Sequence, residues 1–152
     1  VMRSTPLSTR ANVACFGTFG YELDLNRLTP EEQEEVKHQI EFMKKYRGLL
    51  QFGTFYRLKS PFEGDDASFL FLSQDKKQFF LTYFQIKGAV SYNYRHLKLK
   101  GLEEETYYRC EETGKAYSGA ELMYVGLMIE KNEDCCGFKD FFSRTWTFTR
   151  IA

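Results

Sequence analysis

Neither sign of charge dominates this sequence. Its 152 residues carry 21 Lys and Arg against 21 Asp and Glu, with seven of each sign in residues 1–52 and fourteen of each in 53–152. A surface that tracks a phosphate backbone needs a local basic excess, so nucleic acid is not an expected partner. No apolar run approaches the roughly 20 residues of a bilayer-spanning helix, and no membrane partner is expected. Asn-x-Ser/Thr is absent, and the two histidines and four cysteines show no zinc-site spacing. Cys15 sits in an apolar run and reads as a small buried thiol. The adjacent Cys135 and Cys136 read as reduced loop thiols rather than a strained disulfide. A cytoplasmic setting is therefore expected. No signal-peptide pattern opens the chain, but its first residues read as the interior of a longer protein, so that observation excludes nothing. Internal repeats and low-complexity segments are also missing.

Aromatics, by contrast, are abundant at 17% of the chain, which favours β-rich packing. The most informative stretch is Thr5 to Leu28. The apolar run Val13-Ala14-Cys15-Phe16 precedes Gly17-Thr18-Phe19-Gly20 and the alternating Tyr21-Glu22-Leu23-Asp24-Leu25. A short apolar run with few charges predicts a strand buried on both faces, as in a parallel sheet. A helix follows directly. Thr29 can cap it, Pro30 suits its first position, and Glu32 completes a capping box. Acids Glu31, Glu32, Glu34 and Glu35 load its start, while Lys44, Lys45 and Arg47 load its end. Val36, Ile40, Met43 and Tyr46 form its apolar stripe, Gly48 reads as its stop, and His38 reads as a surface residue.

Beyond Gly53 the hydrophobic period becomes two. Strands are predicted at 54–58, 68–72, 79–86, 97–100, 107–110, 116–117 and 141–150. Turn chemistry separates them at 60–64, 73–77, 100–101 and 132–137. Short strands without intervening helices predict an antiparallel sandwich. Its core is expected to hold Phe71, Phe80, Tyr83, Leu97, Leu99, Tyr108, Trp146 and Phe148.

Three blocks, TPLSTR, FGTFGYELDLNRLTPEE and LLQFGTFYRLKSPFEG, resemble the bacterial retaining α-galactosidases, the melibiase and raffinose-hydrolysing family. The resemblance continues through LKGLEEETYY, KAYSGAELMYVGL and FSRTWTF. It departs at Ala120 and Tyr124, where the family usually has Asp and Asn. The resemblance implies a mainly β chain. Residues 1–50 would be the last β/α unit of a catalytic (β/α)₈ barrel, and residues 51–152 a C-terminal antiparallel β-sandwich. It also implies an α-galactoside substrate in the intact enzyme, the remainder of the barrel as partner, a homo-oligomer, and no cofactor or metal.

Retaining glycoside hydrolysis needs two carboxylates about 5–5.5 Å apart. The resemblance places both, as aspartates, on barrel strands upstream of Val1, so no catalytic residue is expected here and the chain alone should be inactive. Glu22 and Asp24 would lie about 6.6 Å apart on an extended strand. Sharing one strand exit, they cannot flank a glycosidic bond, and they read as polar surface groups. Gly17, Thr18, Phe19 and Gly20 lack the Lys-Ser/Thr of a phosphate loop. On the barrel reading they lie at its catalytic face and help wall the sugar pocket. Arg10 reads as structural. Tyr92 and Tyr94, beside Arg95 and His96, offer a sugar-stacking candidate whose ordinary reading is packing at the sandwich edge. Asp65-Asp66 and Glu103-Glu104-Glu105 read as solvated turns.

An alternative remains in which the chain is an independent carbohydrate-binding or protein-interaction module. Residues 2–52 discriminate, because a lone buried parallel strand serves a barrel and not a free module. With that strand unpaired, self-association through residues 11–50 is expected.

Overall fold

The computed structural model describes residues 5–88, 95–129 and 140–151. Its first element overturns one expectation. Residues Leu7–Ala14 form helix α1 rather than contributing to a strand, and among the described residues no strand precedes Thr54. Leu7, Ala11 and Cys15 recur every four residues and are all buried, so the helical period decides the segment. Val13, the first residue of the predicted strand, is 55% exposed.

After a single 3-10 turn at Leu25–Arg27, helix α2 spans Pro30–Phe52. Its start is as predicted. The Glu32 amide donates to Thr29 Oγ1 (3.2 Å), and the Thr29 amide donates to the Glu32 carboxylate (2.9 Å). Its end is not. The helix runs through Gly48, and the Gly53 amide donates to the Leu49 carbonyl (2.8 Å). Leu49 and Leu50 bury themselves against Phe71 and Phe80, which outweighs the roughly 1 kcal/mol a mid-helix glycine costs. Lys44, Lys45 and Arg47 consequently lie before the last turn, which contains no basic residue.

Among the described residues eight strands follow: β1 Thr54–Lys59, β2 Asp66–Leu72, β3 Gln78–Gln85, β4 Arg95–Leu97, β5 Tyr107–Cys110, β6 Ala116–Ser118, β7 Leu127–Ile129 and β8 Phe142–Arg150. Six form one sheet in the order β1-β2-β3-β8-β5-β6, β4 and β7 form a second, and every pairing is antiparallel. The β2–β3 hairpin turns where its sequence requires. The Lys76 amide donates to the Ser73 carbonyl (2.9 Å), and Lys76 adopts a φ of 54°.

Alternation sorts the large sheet into two apolar faces. Leu70, Phe79, Leu81, Tyr83, Trp146 and Phe148 face the small sheet, meeting Leu97, Leu99, Leu122, Leu127 and Ile129. Phe79 and Phe148 stack with centroids 4.5 Å apart. The opposite face presents Phe71 and Phe80 to Cys15, Tyr46, Leu49 and Leu50. All eight residues expected in the core are buried, but Phe71 and Phe80 serve the helix-covered face rather than the space between the sheets.

Candidate functional site

The four residues singled out as a pocket wall, Gly17 to Gly20, form the loop leaving α1. Two aromatic anchors hold it. Before the loop, the Phe16 ring inserts among Phe69, Phe71 and Phe84, at 4.8, 5.4 and 5.9 Å between centroids. Inside it, Phe19 is half-buried and meets Tyr21 edge-on at 5.4 Å. The Tyr21 hydroxyl donates to Gln39 Oε1, and Gln39 Nε2 donates to Glu35 (2.9 Å). Burial and the nearby Glu35 carboxylate both raise the Tyr21 phenol above its ordinary value.

Gly17 and Thr18, between these anchors, and Gly20, just after them, stay exposed. They edge a cleft of about 420 Å³ whose other wall is Met43, Lys44, Arg47 and Gln51 of α2. A Cβ built at Gly17 or Gly20 meets nothing within 4 Å. Packing inside the chain therefore does not require these glycines.

Phe19 also walls a second cleft, of about 700 Å³, between α1 and α2. Its floor is Ala11, Cys15 and Phe42, and its rim carries Glu31, Glu34, Glu35 and His38. Burial pushes the Cys15 thiol up to about 11, so it is no nucleophile. Glu34 is engaged by Lys37 at 2.8 Å, and His38 stands 3.7 Å from it with its side chain 71% exposed.

The other sequence candidates separate. Glu22 and Asp24 lie on no strand, and both are exposed. Asp24 accepts from the Asn26 amide (3.1 Å) and pairs with Arg27 at 3.4 Å, which is ordinary capping chemistry. Arg10 is exposed along a shallow cleft beside Glu22. Tyr92 and Tyr94 lie outside the described residues, as do Cys135 and Cys136. Arg95 points inward to an ion pair, whereas His96 is exposed and opposite Met128. Among the described residues, no three His, Cys, Asp or Glu side chains converge on a metal site. No described helix is long and apolar enough to cross a membrane.

Each of the two turns expected to be solvated holds one residue that is not, Asp66 and Glu103, while Asp65, Glu104 and Glu105 are exposed. Asp66 is buried, accepting from Lys59 Nζ (2.7 and 2.8 Å), Tyr83 Oη (3.2 Å) and Arg95 Nη1. Burial alone would raise its carboxyl. Hydrogen bonds and charge from Lys59 and Arg95 outweigh that and hold it below its ordinary value. The signal was present in the sequence: Asp66 keeps the period-two step of Ser68, Leu70 and Leu72, which puts it on the inward face. Glu103, half-buried, accepts from Thr106 (3.2 Å) and Arg150 (3.1 Å). Of the two positions that depart from the resemblance, Ala120 caps one turn of π-helix at Glu121–Val125 and Tyr124 lies within it. There the Ala120 amide donates to the Glu104 carbonyl (3.0 Å), and the Tyr124 hydroxyl donates to the Glu104 carboxylate.

The sequence model of the glycosyl hydrolase family 36 C-terminal domain matches residues 66–148. The chain belongs to that family. A second family model, melibiase, matches residues 1–53, the segment that builds both clefts. Alpha-galactosidase AgaA of Geobacillus stearothermophilus is 42% identical over 99% of this chain, which covers 20% of AgaA. Alpha-galactosidase 1 of Pediococcus pentosaceus is 32% identical over 99% of the chain, again covering 20% of the relative. A crystal structure of an AgaA variant in complex with raffinose superposes with a TM-score of 0.91 at 40% identity, over 98% of this chain and 20% of that one. The family 36 chain thus spans about a fifth of the length of these relatives. Because 98% of the chain superposes, α1 and the Gly17–Gly20 loop are included in the shared fold.

Proposed function

We propose that the family 36 chain is the C-terminal region of an α-galactosidase, a retaining glycoside hydrolase that releases terminal α-linked galactose from melibiose- and raffinose-type oligosaccharides. The observation that carries this reading is likeness along the whole chain: 42% identity over 99% of its residues to one α-galactosidase, and a TM-score of 0.91 to a structure of that enzyme's variant with raffinose. A related structure was solved with stachyose, and raffinose and stachyose are both α-galactosides.

In this reading residues 1–50 close a catalytic barrel, residues 51–152 brace it, and the nucleophile and acid/base aspartates come from the preceding part of the protein. Gly17, Thr18, Phe19 and Gly20 wall the sugar pocket. Supporting that role, the exposed glycines have no packing reason within the chain, and glycine suits a backbone that something must approach closely. The free, buried Cys15 and Cys110 support a reducing, cytoplasmic setting. A homo-oligomer braced through the sandwich completes the proposal.

The independent-module reading draws on one observation. Helix α2 covers the outer face of the sandwich, so residues 5–52 have a use without a barrel. The melibiase match over residues 1–53 favours the enzyme. Hydrolysis of a chromogenic α-galactoside decides between them. The whole protein encoded by this reading frame is expected to turn it over, and the 152-residue chain is expected to give only background. An inactive whole protein, or turnover by the chain that is lost in Glu22→Gln or Asp24→Asn, would overturn the reading.

A further inference from the structure

The larger cleft lies almost wholly within the segment matched by the melibiase model: of its lining residues only Thr145 falls outside residues 1–53. Its floor of Ala11, Cys15, Phe19 and Phe42 is apolar, and its rim holds three carboxylates, Glu31, Glu34 and Glu35. About four-fifths of each relative's chain lies beyond the part matched here. An apolar floor inside one partial domain calls for the rest of that domain. A second copy of this chain is the weaker occupant, because two-fold symmetry would bring one acidic rim against another.

We infer that this groove receives an amphipathic helix from the part of the same protein that precedes this chain. That helix lays its apolar face on Ala11, Phe19 and Phe42, and its Lys or Arg side chains meet Glu31 and Glu35. The inference rests on the reading under which the chain is one end of a larger enzyme, and it adds which face joins the two parts.

Site-resolved maleimide labelling of introduced thiols tests it independently of activity. Ser8→Cys and His38→Cys sit at exposed positions lining the groove, and Tyr124→Cys at an exposed position on the π-turn beyond β6. In the whole protein the two groove thiols should label at least tenfold more slowly than in the 152-residue chain, while the Tyr124 position labels alike in both. Adding Glu31→Lys and Glu35→Lys should restore most of the lost rate. Equal rates in the two proteins overturn the inference, as does protection that the charge reversals leave untouched. Protection within the 152-residue chain that rises with its concentration also overturns it, because a second copy then fills the groove. If the whole protein protects the groove but hydrolyses no α-galactoside, the catalytic reading fails and this one stands.

Discussion

Arg95 of β4 reaches across the sandwich to the Asp66 carboxylate of β2, so one ion pair ties the two-stranded sheet to the six-stranded one. Tyr83 of β3 lies between them, donating to Asp66 and accepting from Arg95 at 3.1 Å, while Lys59 of β1 closes the cluster. Four strands meet at a single buried carboxylate.

Asp66→Asn should therefore destabilise the chain by about 2 kcal/mol. Removing one partner of a buried pair costs about 3–5 kcal/mol, and the solvent reaching Lys59 and Arg95 reduces that here. The pH dependence has a fixed sign. The folded carboxyl titrates below its ordinary 3.8, so its stabilisation is complete above that value and disappears as pH falls through the lower, folded one. Urea midpoints of the two proteins should differ at pH 7 and converge below about pH 3.8. A gap that widens on acidification would contradict the assigned network.

At the β7 entrance, Gly126 has a φ of 96° and ψ of 159°, a region essentially reserved for glycine. A Cβ there would lie 2.8 Å from the Leu97 carbonyl oxygen, in the strand that β7 pairs with. Gly126→Ala should cost about 3 kcal/mol, combining backbone strain with that collision. Gly114 also has a positive φ, of 70°, but a Cβ there meets open space. Gly114→Ala should cost only about 1 kcal/mol. Thermal unfolding of the two variants side by side measures the difference, and equal losses would show that the Leu97 contact yields.

The capping box gives a smaller and more local effect. Thr29→Ala removes the acceptor for the Glu32 amide and should cost about 1 kcal/mol. Hydrogen exchange should quicken at residues 30–34 and stay unchanged in β3. Loss spread evenly over the sandwich would mean that α2 and the sheet unfold as one unit.

These sites differ in how openly the sequence displayed them. The capping box is local chemistry at fixed spacing, the alternation in β5 and β8 reports a buried face directly, and the near-continuous apolar runs of β2 and β3 report strands buried on both faces. Asp66 was hidden because two adjacent acids before Ser68 look like a turn, although the strand's period reaches back to include it. Helix α1 was hidden because VACF forms a continuous apolar run, while the Leu7, Ala11 and Cys15 stripe is interrupted by Ser, Thr and Asn. Strand β7 has three residues, too few for a period to show. The extension of α2 past Gly48 depends on Phe71 and Phe80, which are distant in sequence. Of the site itself, the loop Gly17–Gly20 was legible as a motif, but the groove beside it exists only once α1 is a helix.

That helix changes which version of the chain should aggregate. The expectation of self-association through residues 11–50 rested on an exposed strand edge at Val13–Phe16, and that strand is absent. Instead α2 and the end of α1 cover the outer face of the large sheet, burying Phe80 to 1% and Phe71 to 7% exposure. Phe42 lies 5.3 Å from Phe80, and Phe16 lies 5.4 Å from Phe71. Burying a phenylalanine side chain is worth about 1.5–3 kcal/mol. A version beginning at Leu49 strips both rings and leaves the sandwich with an apolar face flanked by edge strand β1. The shortened form should be the one that self-associates, and the 152-residue chain should scatter light as the smaller particle at the same molar concentration. The reverse ranking would mean that residues 5–48 add more sticky surface than they cover.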